Sequence, residues 1–123
     1  MSRSKAKGTR LETAVATYLR EHVDDRIERR TTSGTKDRGD ISGLRHMGQR
    51  VVVECKNTSR ADLAGWAAEA DVERRNDDAN AALIIHKRVG RSLERSIGDQ
   101  WVTCTLDELI ALINGNRDHV EDR

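Results

Sequence analysis

Aromatic residues are scarce in this sequence of 123 residues, which has two Trp, one Tyr and no Phe. Proteins that bind single-stranded nucleic acid without sequence preference stack successive bases on aromatic side chains. Three aromatic residues give little support to that mode of binding. Trp66 lies among apolar residues of a predicted helix, so a position in the core or in a dimer interface explains it better than base stacking.

Long apolar segments are also missing. No run approaches the ~20 residues of a membrane-spanning helix, and no signal peptide is recognisable. We therefore expect a soluble, cytoplasmic protein without a membrane partner. Cys55 and Cys104 are the only cysteines, and neither has the close Cys/His spacing of a zinc site. Their apolar, strand-like surroundings predict buried free thiols in a reducing compartment.

The composition limits the size of the core. Apolar residues make up 36% of the chain and charged residues 35%, which predicts one domain with a modest core. A chain this short and polar often gains stability by pairing with a second copy, so we expect a homodimer. We assign residues 1–8 to a flexible basic arm, 9–115 to a single domain and 116–123 to a polar tail.

The net charge of +1 hides an uneven distribution. Residues 1–60 carry 14 Lys/Arg and 8 Asp/Glu, whereas residues 61–123 carry 8 and 13. A basic half joined to an acidic half is typical of a domain with a nucleic-acid-binding surface. A solvated charged face explains the same counts.

Hydrophobic periodicity predicts an α/β domain in which helices flank a mixed central sheet, with the element order α-β-β-β-α-β-β-α. The first helix is expected to begin at Thr9, and the second to follow a Ser59 cap and end near Asn76. Thr105 and Gly115 bound the last helix. The expected strands cover 27–32, 40–44, 50–56, 81–86 and 101–104.

The clearest strand ends in charged residues, because three consecutive valines lead into Glu54 and, two residues later, Lys56. Side chains alternate between the faces of a strand, so Glu54 and Lys56 project to the same side. An exposed ion pair at the strand end is one explanation. Asp40 offers another, since a hairpin through the turn near Gly48 would bring it beside Glu54.

Two carboxylates a few ångströms apart repel each other unless a cation lies between them. Mg²⁺ binds one or two carboxylates together with water and phosphate oxygens, stabilises charge on the phosphate and lowers the pKa of bound water. Lys56 would orient or help deprotonate the attacking water, or neutralise the phosphate. Asp40, Glu54 and Lys56 therefore predict metal-dependent phosphodiester hydrolysis, although Asp40 also suits a turn-capping role.

The pair Gly39-Asp40, fourteen residues before Glu54-Cys55-Lys56, resembles the D…E-x-K signature of the PD-(D/E)XK nuclease superfamily. The segment 7–12, KGTRLE, is similar to the start of archaeal and phage Holliday junction resolvases. Together with the element order, the resemblance covers roughly residues 5–105 and implies a restriction-endonuclease-like core. Gly39 stands where the superfamily's name has proline.

The resemblance implies that Asp40 and Glu54 bind Mg²⁺, with Mn²⁺ as a substitute, and that Lys56 is the catalytic lysine. Glu12 would complete the metal site directly or through a bound water. Thr9 and Glu12 also have the spacing of a capping box, which is a competing explanation for Glu12. No organic cofactor is implied.

The loop 31–34 resembles the hydroxyl-bearing loop that junction resolvases place over the scissile phosphate, although an ordinary polar loop has the same composition. Lys87 and Arg88 would extend a phosphate track or form a solvated strand end. The candidate DNA contacts are Lys5, Lys7, Arg10, Thr32, Ser33, Lys36, Arg38, Lys87 and Arg88.

These patterns lead to one expected function and two alternatives. The expected function is that of a homodimeric Holliday junction resolvase, which hydrolyses phosphodiester bonds of branched DNA with metal-activated water during recombination or repair. One alternative is a restriction-like or repair nuclease acting on duplexes, flaps or DNA ends. The other is a non-catalytic nucleic-acid-binding module of the same fold, against which the complete acid-acid-Lys set argues.

Overall fold

The computed structural model of the chain describes residues 3–31 and 36–120. The helices are α1 (Arg3–His22), α2 (Leu63–Asn76) and α3 (Leu106–Asn114). The strands are β1 (Glu28–Arg29), β2 (Ile41–Ser42), β3 (Arg45–His46), β4 (Gln49–Lys56), β5 (Ala81–His86) and β6 (Trp101–Thr103). Short 3₁₀ turns cover Ile97–Asp99 and Asp118–Val120. No helix among the described residues is both long and apolar enough to cross a membrane.

The strands form one mixed sheet in the order β1-β2-β4-β5-β6, and β3 pairs with the beginning of β4. β4 and β5 are parallel, with α2 between them in the chain, whereas the other neighbouring strands are antiparallel. Parallel neighbours need such a crossover, because a tight turn cannot join them. The prediction of a mixed sheet flanked by helices is confirmed.

The alternation of side chains along β4 divides the core into two layers. Val53 and Cys55 face α1 and pack with Leu11 and Val15, whereas Val52 faces α2. Apolar residues therefore occupy both faces of the central strand, as expected for a strand covered on both sides. The α2 layer consists of Val52, Trp66, Ala70, Ala79, Ala82 and Ile84.

Trp66 and the cysteines can be compared with their predicted positions. Trp66 is buried in the α2 layer, which confirms a core position. Cys55 and Cys104 are both free thiols, as predicted. Cys55 is buried, and burial raises the pKa of its thiol. Cys104 is only half-buried, so its predicted burial is correct in part.

Several predicted boundaries are wrong. α1 begins at Arg3, so residues 3–8 are helical, and Thr9 lies inside the helix. The cap of α2 is Asp62, whose carboxylate accepts a hydrogen bond from the Gly65 N–H, and not Ser59. Strand β3 was not predicted, because it is only two residues long and depends on pairing with β4. The strands β4 and β5 and the caps of α3 agree closely with the prediction.

Gly39 occupies a position where the loop before β2 crosses β4 closely. Its φ is +94°, and a Cβ atom there would lie 2.8 Å from Val52 Cγ1 and 3.1 Å from the Val53 carbonyl oxygen. Val52 is part of the core and cannot move away freely. Glycine is therefore required both by backbone conformation and by space.

We expect Gly39→Ala to lower the free energy of unfolding by about 1–3 kcal/mol, because a positive φ and a tight contact are imposed together. Denaturant unfolding would measure the loss. Gly90→Ala is the matched control, since Gly90 has a φ of +80° but no described heavy atom near the added Cβ. Equal losses in the two variants would contradict the close approach at Gly39.

Candidate active site

Asp40 and Glu54 are neighbours because β2 and β4 pair antiparallel, with Ile41 opposite Val53. The Asp40 N–H donates to the Val53 carbonyl oxygen at 2.9 Å. In return, the Cys55 N–H donates to Asp40 Oδ2 at 2.8 Å. The hairpin predicted from the sequence therefore forms, and it fixes the Asp40 carboxylate beside the end of β4.

Asp40 is half-buried and Glu54 is buried. Glu54 is 5% exposed. Burial, and then the nearby Glu54 carboxylate, raise the pKa of Asp40 to about 8. Burial is also the main cause that raises the pKa of Glu54 to about 8, and the Glu73 carboxylate adds to it. The pair therefore resists carrying two negative charges unless a cation neutralises it.

Glu12 joins this group from α1. Burial, followed by the charge of Asp40, raises the pKa of Glu12. Arg29 Nε donates to Glu12 Oε2 at 3.0 Å, so a guanidinium partly offsets the charge of Glu12. Since Thr9 lies inside α1, Glu12 is not the partner in a capping box at the start of the helix. The competing explanation for Glu12 is therefore wrong.

Glu73 of α2 is a further acidic residue that the sequence interpretation missed. It is 1% exposed, and no described residue donates a hydrogen bond to either of its carboxylate oxygens. Burial raises its pKa to about 7; contact with Glu54 opposes this rise, whereas the charges of Asp37 and Asp40 add to it. A signal existed, because Glu73 follows Trp66 and Ala70 by seven and three residues and so lies on the apolar face of α2.

Asp37 approaches the same group from the loop before Gly39. Carboxylate oxygens of Asp37, Glu54 and Glu73 all lie within 4.8 Å of one another. The Gly39 N–H donates to Asp37 Oδ1 at 2.9 Å, and Asn76 Nδ2 donates to the Asp37 carbonyl oxygen at 2.8 Å. Asp37 is exposed, so this corner of the site is open to solvent.

The backbone conformation at Gly39 does not suit proline. Proline fixes φ near −65° and has no N–H, whereas Gly39 has a φ of +94° and uses its N–H to hold Asp37. Proline at this position would remove that hydrogen bond and change the path of the loop. Glycine at position 39 therefore helps to hold the Asp37 carboxylate in place.

Lys56 projects to the α2 side of the sheet with Glu54, as predicted from the strand period, and its Nζ lies 2.6 Å from Glu69 Oε2. Burial disfavours the charged ammonium, but the hydrogen bond to Glu69 and the charge of Glu54 outweigh it and raise the pKa of Lys56. Lys56 therefore stays protonated at neutral pH. This charge state suits neutralising a phosphate better than removing a proton from water.

The predicted DNA contacts fall into separate groups. Thr32 and Ser33 lie outside the described residues. Lys5, Lys7 and Arg10 lie on α1. The carbonyl oxygen of Lys7 accepts a hydrogen bond of 3.5 Å from Asn57, so the start of α1 is beside the end of β4.

Lys87 and Arg88 are engaged within the protein. Lys87 Nζ donates to the carbonyl oxygens of Arg88 and Arg91, at 2.7 and 2.5 Å, and thereby closes the loop after β5. The guanidinium of Arg88 lies 4.3 Å from the ring centre of Trp101, a cation–π contact. These contacts favour a structural role for both residues over a phosphate track.

A basic cleft lies beside β2 and the end of α2. Its charged lining consists of Arg30, Arg38, Arg45, Arg50 and Asp77. Asp77 offsets part of this charge, since its carboxylate lies 3.5 Å from Arg30 and its carbonyl oxygen accepts from Arg50 at 2.9 Å. Of these lining residues, only Arg38 was predicted from the sequence as a DNA contact. Lys36, another predicted contact two residues before Arg38, is exposed.

Compared with known proteins, the chain matches no family model, no curated protein and no solved structure. The chemistry of the site is therefore argued from its own geometry. Five acidic residues from four segments meet at the end of β4, with Lys56 on one side and the basic cleft next to the Asp37 loop.

In metal-free buffer we expect the free energy of unfolding to fall as the pH rises from about 5 to about 8. The folded state keeps protons on Asp40 and Glu54, whose pKa values are raised to about 8, whereas the unfolded chain releases them near pH 4. Chemical unfolding across this pH range in EDTA measures the trend, and Glu54→Gln should flatten it. Stability that rises with pH over the same window would contradict the raised pKa values.

Proposed function

We propose that this chain is a Mg²⁺-dependent endodeoxyribonuclease with a restriction-endonuclease-like core. The observation that carries the proposal is the buried contact between Asp40 and Glu54, with the protonated Lys56 two residues further along the same strand face. A structural role gives no reason to place two carboxyl groups side by side at the end of a core strand. Metal-dependent phosphodiester hydrolysis, by contrast, uses carboxylates to hold the cation, and a nearby positive side chain can neutralise the phosphate.

The donor set fits a hard divalent cation. Asp40 and Glu54 would hold it, and Glu12 would complete the site directly or through water. All three provide carboxylate oxygens, which are the ligands that Mg²⁺ and Mn²⁺ prefer. When bound, Mg²⁺ would stabilise negative charge on the phosphate and make a nearby water more acidic.

The protein's own residues have distinct roles in this proposal. The Cys55 N–H holds Asp40 Oδ2 and leaves Oδ1 for the cation. Arg29 fixes the Glu12 carboxylate towards Asp40. Lys56 supplies a positive charge for a non-bridging phosphate oxygen. Its partner Glu69 is half exposed and can exchange Lys56 for solvent when a phosphate arrives.

The basic cleft supports a nucleic-acid substrate. Arg38 lines the cleft and directly follows Asp37, which belongs to the acidic group, so a phosphate backbone bound by the arginines would pass close to the acidic group. Phosphate contacts of this kind position a duplex without reading its sequence. DNA junctions as the preferred substrate, and a homodimer that presents two sites to them, depend on the resemblance to junction resolvases.

The decisive experiment compares cleavage of a four-way junction, a flap, a nicked duplex and a linear duplex in Mg²⁺ and in EDTA. Paired symmetrical nicks in the junction would support a dimeric resolvase. Cleavage of duplexes or flaps alone would favour a restriction-like or repair nuclease. Binding to DNA without Mg²⁺-dependent cleavage of any substrate would favour a non-catalytic module and contradict the proposal.

We expect Asp40→Asn and Glu54→Gln each to reduce the cleavage rate at least about 100-fold. Replacing a residue that only supports a metal ligand already lowers metal affinity or activity by about 10–100-fold, and these two residues are proposed as ligands themselves. DNA binding, measured by fluorescence anisotropy, should change little. Glu94→Gln, at an exposed position, is the control for removing one carboxylate. Retained cleavage in purified, folded Glu54→Gln would refute the assignment.

We expect Arg38→Ala and Arg45→Ala to weaken binding to all DNA sequences alike, because they remove phosphate contacts. Each lost contact should reduce the slope of log K against log [salt] by about 0.9. Titrations at several salt concentrations would measure this, with Arg95→Ala, an exposed arginine outside the cleft, as control. An unchanged slope in both cleft variants would rule out the cleft as the path of the DNA.

A further inference from the structure

We propose that Asp37, Glu54 and Glu73 form a second divalent-cation site, separate from the Asp40 and Glu12 side of Glu54. One carboxylate oxygen from each residue lies within 4.8 Å of those of the other two. Two oxygen ligands on opposite sides of a single ion lie about 4–5 Å apart. One ion can therefore contact all three residues without a large rearrangement.

Glu73 is the observation that points to a ligand. Its side chain is fully buried and faces Glu54 and Asp37, and apart from these two carboxyl groups no described residue offers a hydrogen-bond donor to either of its oxygens. Buried carboxylates are normally paired with cations or hydrogen-bond donors, because desolvation is otherwise uncompensated. A cation supplies the missing partner for both oxygens and for the neighbouring Glu54.

The three ligands come from firmly held segments. Glu54 lies in the middle of the sheet on β4, and Glu73 lies in the last turns of α2. Asp37 is fixed by the Gly39 N–H and by Asn76, which also belongs to α2. Preorganised ligands of this kind lose little freedom on binding a metal.

The exposure of the ligands defines an entry path. Asp37 is open to solvent, whereas Glu54 and Glu73 are buried. An ion can therefore enter past Asp37 and lose part of its hydration shell to the two buried carboxylates. The all-oxygen, triply acidic donor set selects Mg²⁺, Mn²⁺ or Ca²⁺ over softer metals.

The site itself does not depend on the proposed nuclease function. If that function holds, however, Glu54 is shared between this site and the one formed with Asp40, which gives a two-cation centre at the end of β4. The main rival is a proton held between Glu54 and Glu73 in place of a metal ion. Metal binding and unfolding measurements distinguish the two.

The test is a titration of the metal-free full chain with Mn²⁺ at pH 7.5, with free Mn²⁺ followed by electron paramagnetic resonance and thermal unfolding measured in parallel. We expect the wild type to bind Mn²⁺ and to unfold at higher temperature with it. Glu73→Gln and Asp37→Asn should each weaken Mn²⁺ binding at least about 10-fold. Asp78→Asn, exposed directly after α2 and with a φ of 51° that Asn tolerates, should bind as the wild type does.

The proposal is overturned if folded Glu73→Gln binds Mn²⁺ as tightly as the wild type does. It is also overturned if the wild type binds no Mn²⁺ and is less stable than Glu73→Gln. If Glu73→Gln fails to fold, Asp37→Asn decides, because its side chain is exposed. Asp40→Asn separates the two proposals, since it should lose cleavage but keep Mn²⁺ on the Glu73 side. Binding without cleavage of any DNA would contradict the nuclease alone.

Discussion

Strand β4 changes from apolar to acidic while it is still inside the protein, and the site depends on this change. Val52 and Val53 fill the two layers of the core, and Glu54, directly after them, is equally buried. The strand cannot leave the sheet to expose Glu54, because it is paired with β2 on one side and with β5 on the other. The carboxylate must therefore find its partners within the protein or in a bound cation.

The segment before β2 brings two further carboxylates to the same point. Gly39 lets the chain cross β4 closely, and its N–H holds Asp37 while the next residue, Asp40, accepts from Cys55. A side chain at position 39 would separate the loop from Val52 and move both acids. The geometry of the acidic group is thus set by one glycine and by backbone hydrogen bonds, which hold carboxylates without neutralising them.

The sequence predicts the parts of the site that local patterns determine. The period of a strand places Glu54 and Lys56 on one side, and the hairpin brings Asp40 to Glu54; both expectations are confirmed. Glu73 was not predicted as a site residue, because its role depends on how α2 packs against β4. Helical periodicity shows only that an acidic residue lies on the apolar face of α2. The arginines of the cleft come from separate strands and loops, so only the folded sheet brings them together.

Positive and negative charges that nearly cancel in the net charge of the chain cluster in different places in the structure. Acidic residues gather at the end of β4, and arginines gather beside β2, with only the short segment from Asp37 to Asp40 between them. In the proposed function this separation is useful, because arginines attract the phosphate backbone whereas the acidic group would repel it. In that function a phosphate would occupy the acidic end only together with a cation, while the arginines would hold the rest of the DNA. Lys56 places a positive charge at the acidic end of β4, and its raised pKa keeps that charge in place.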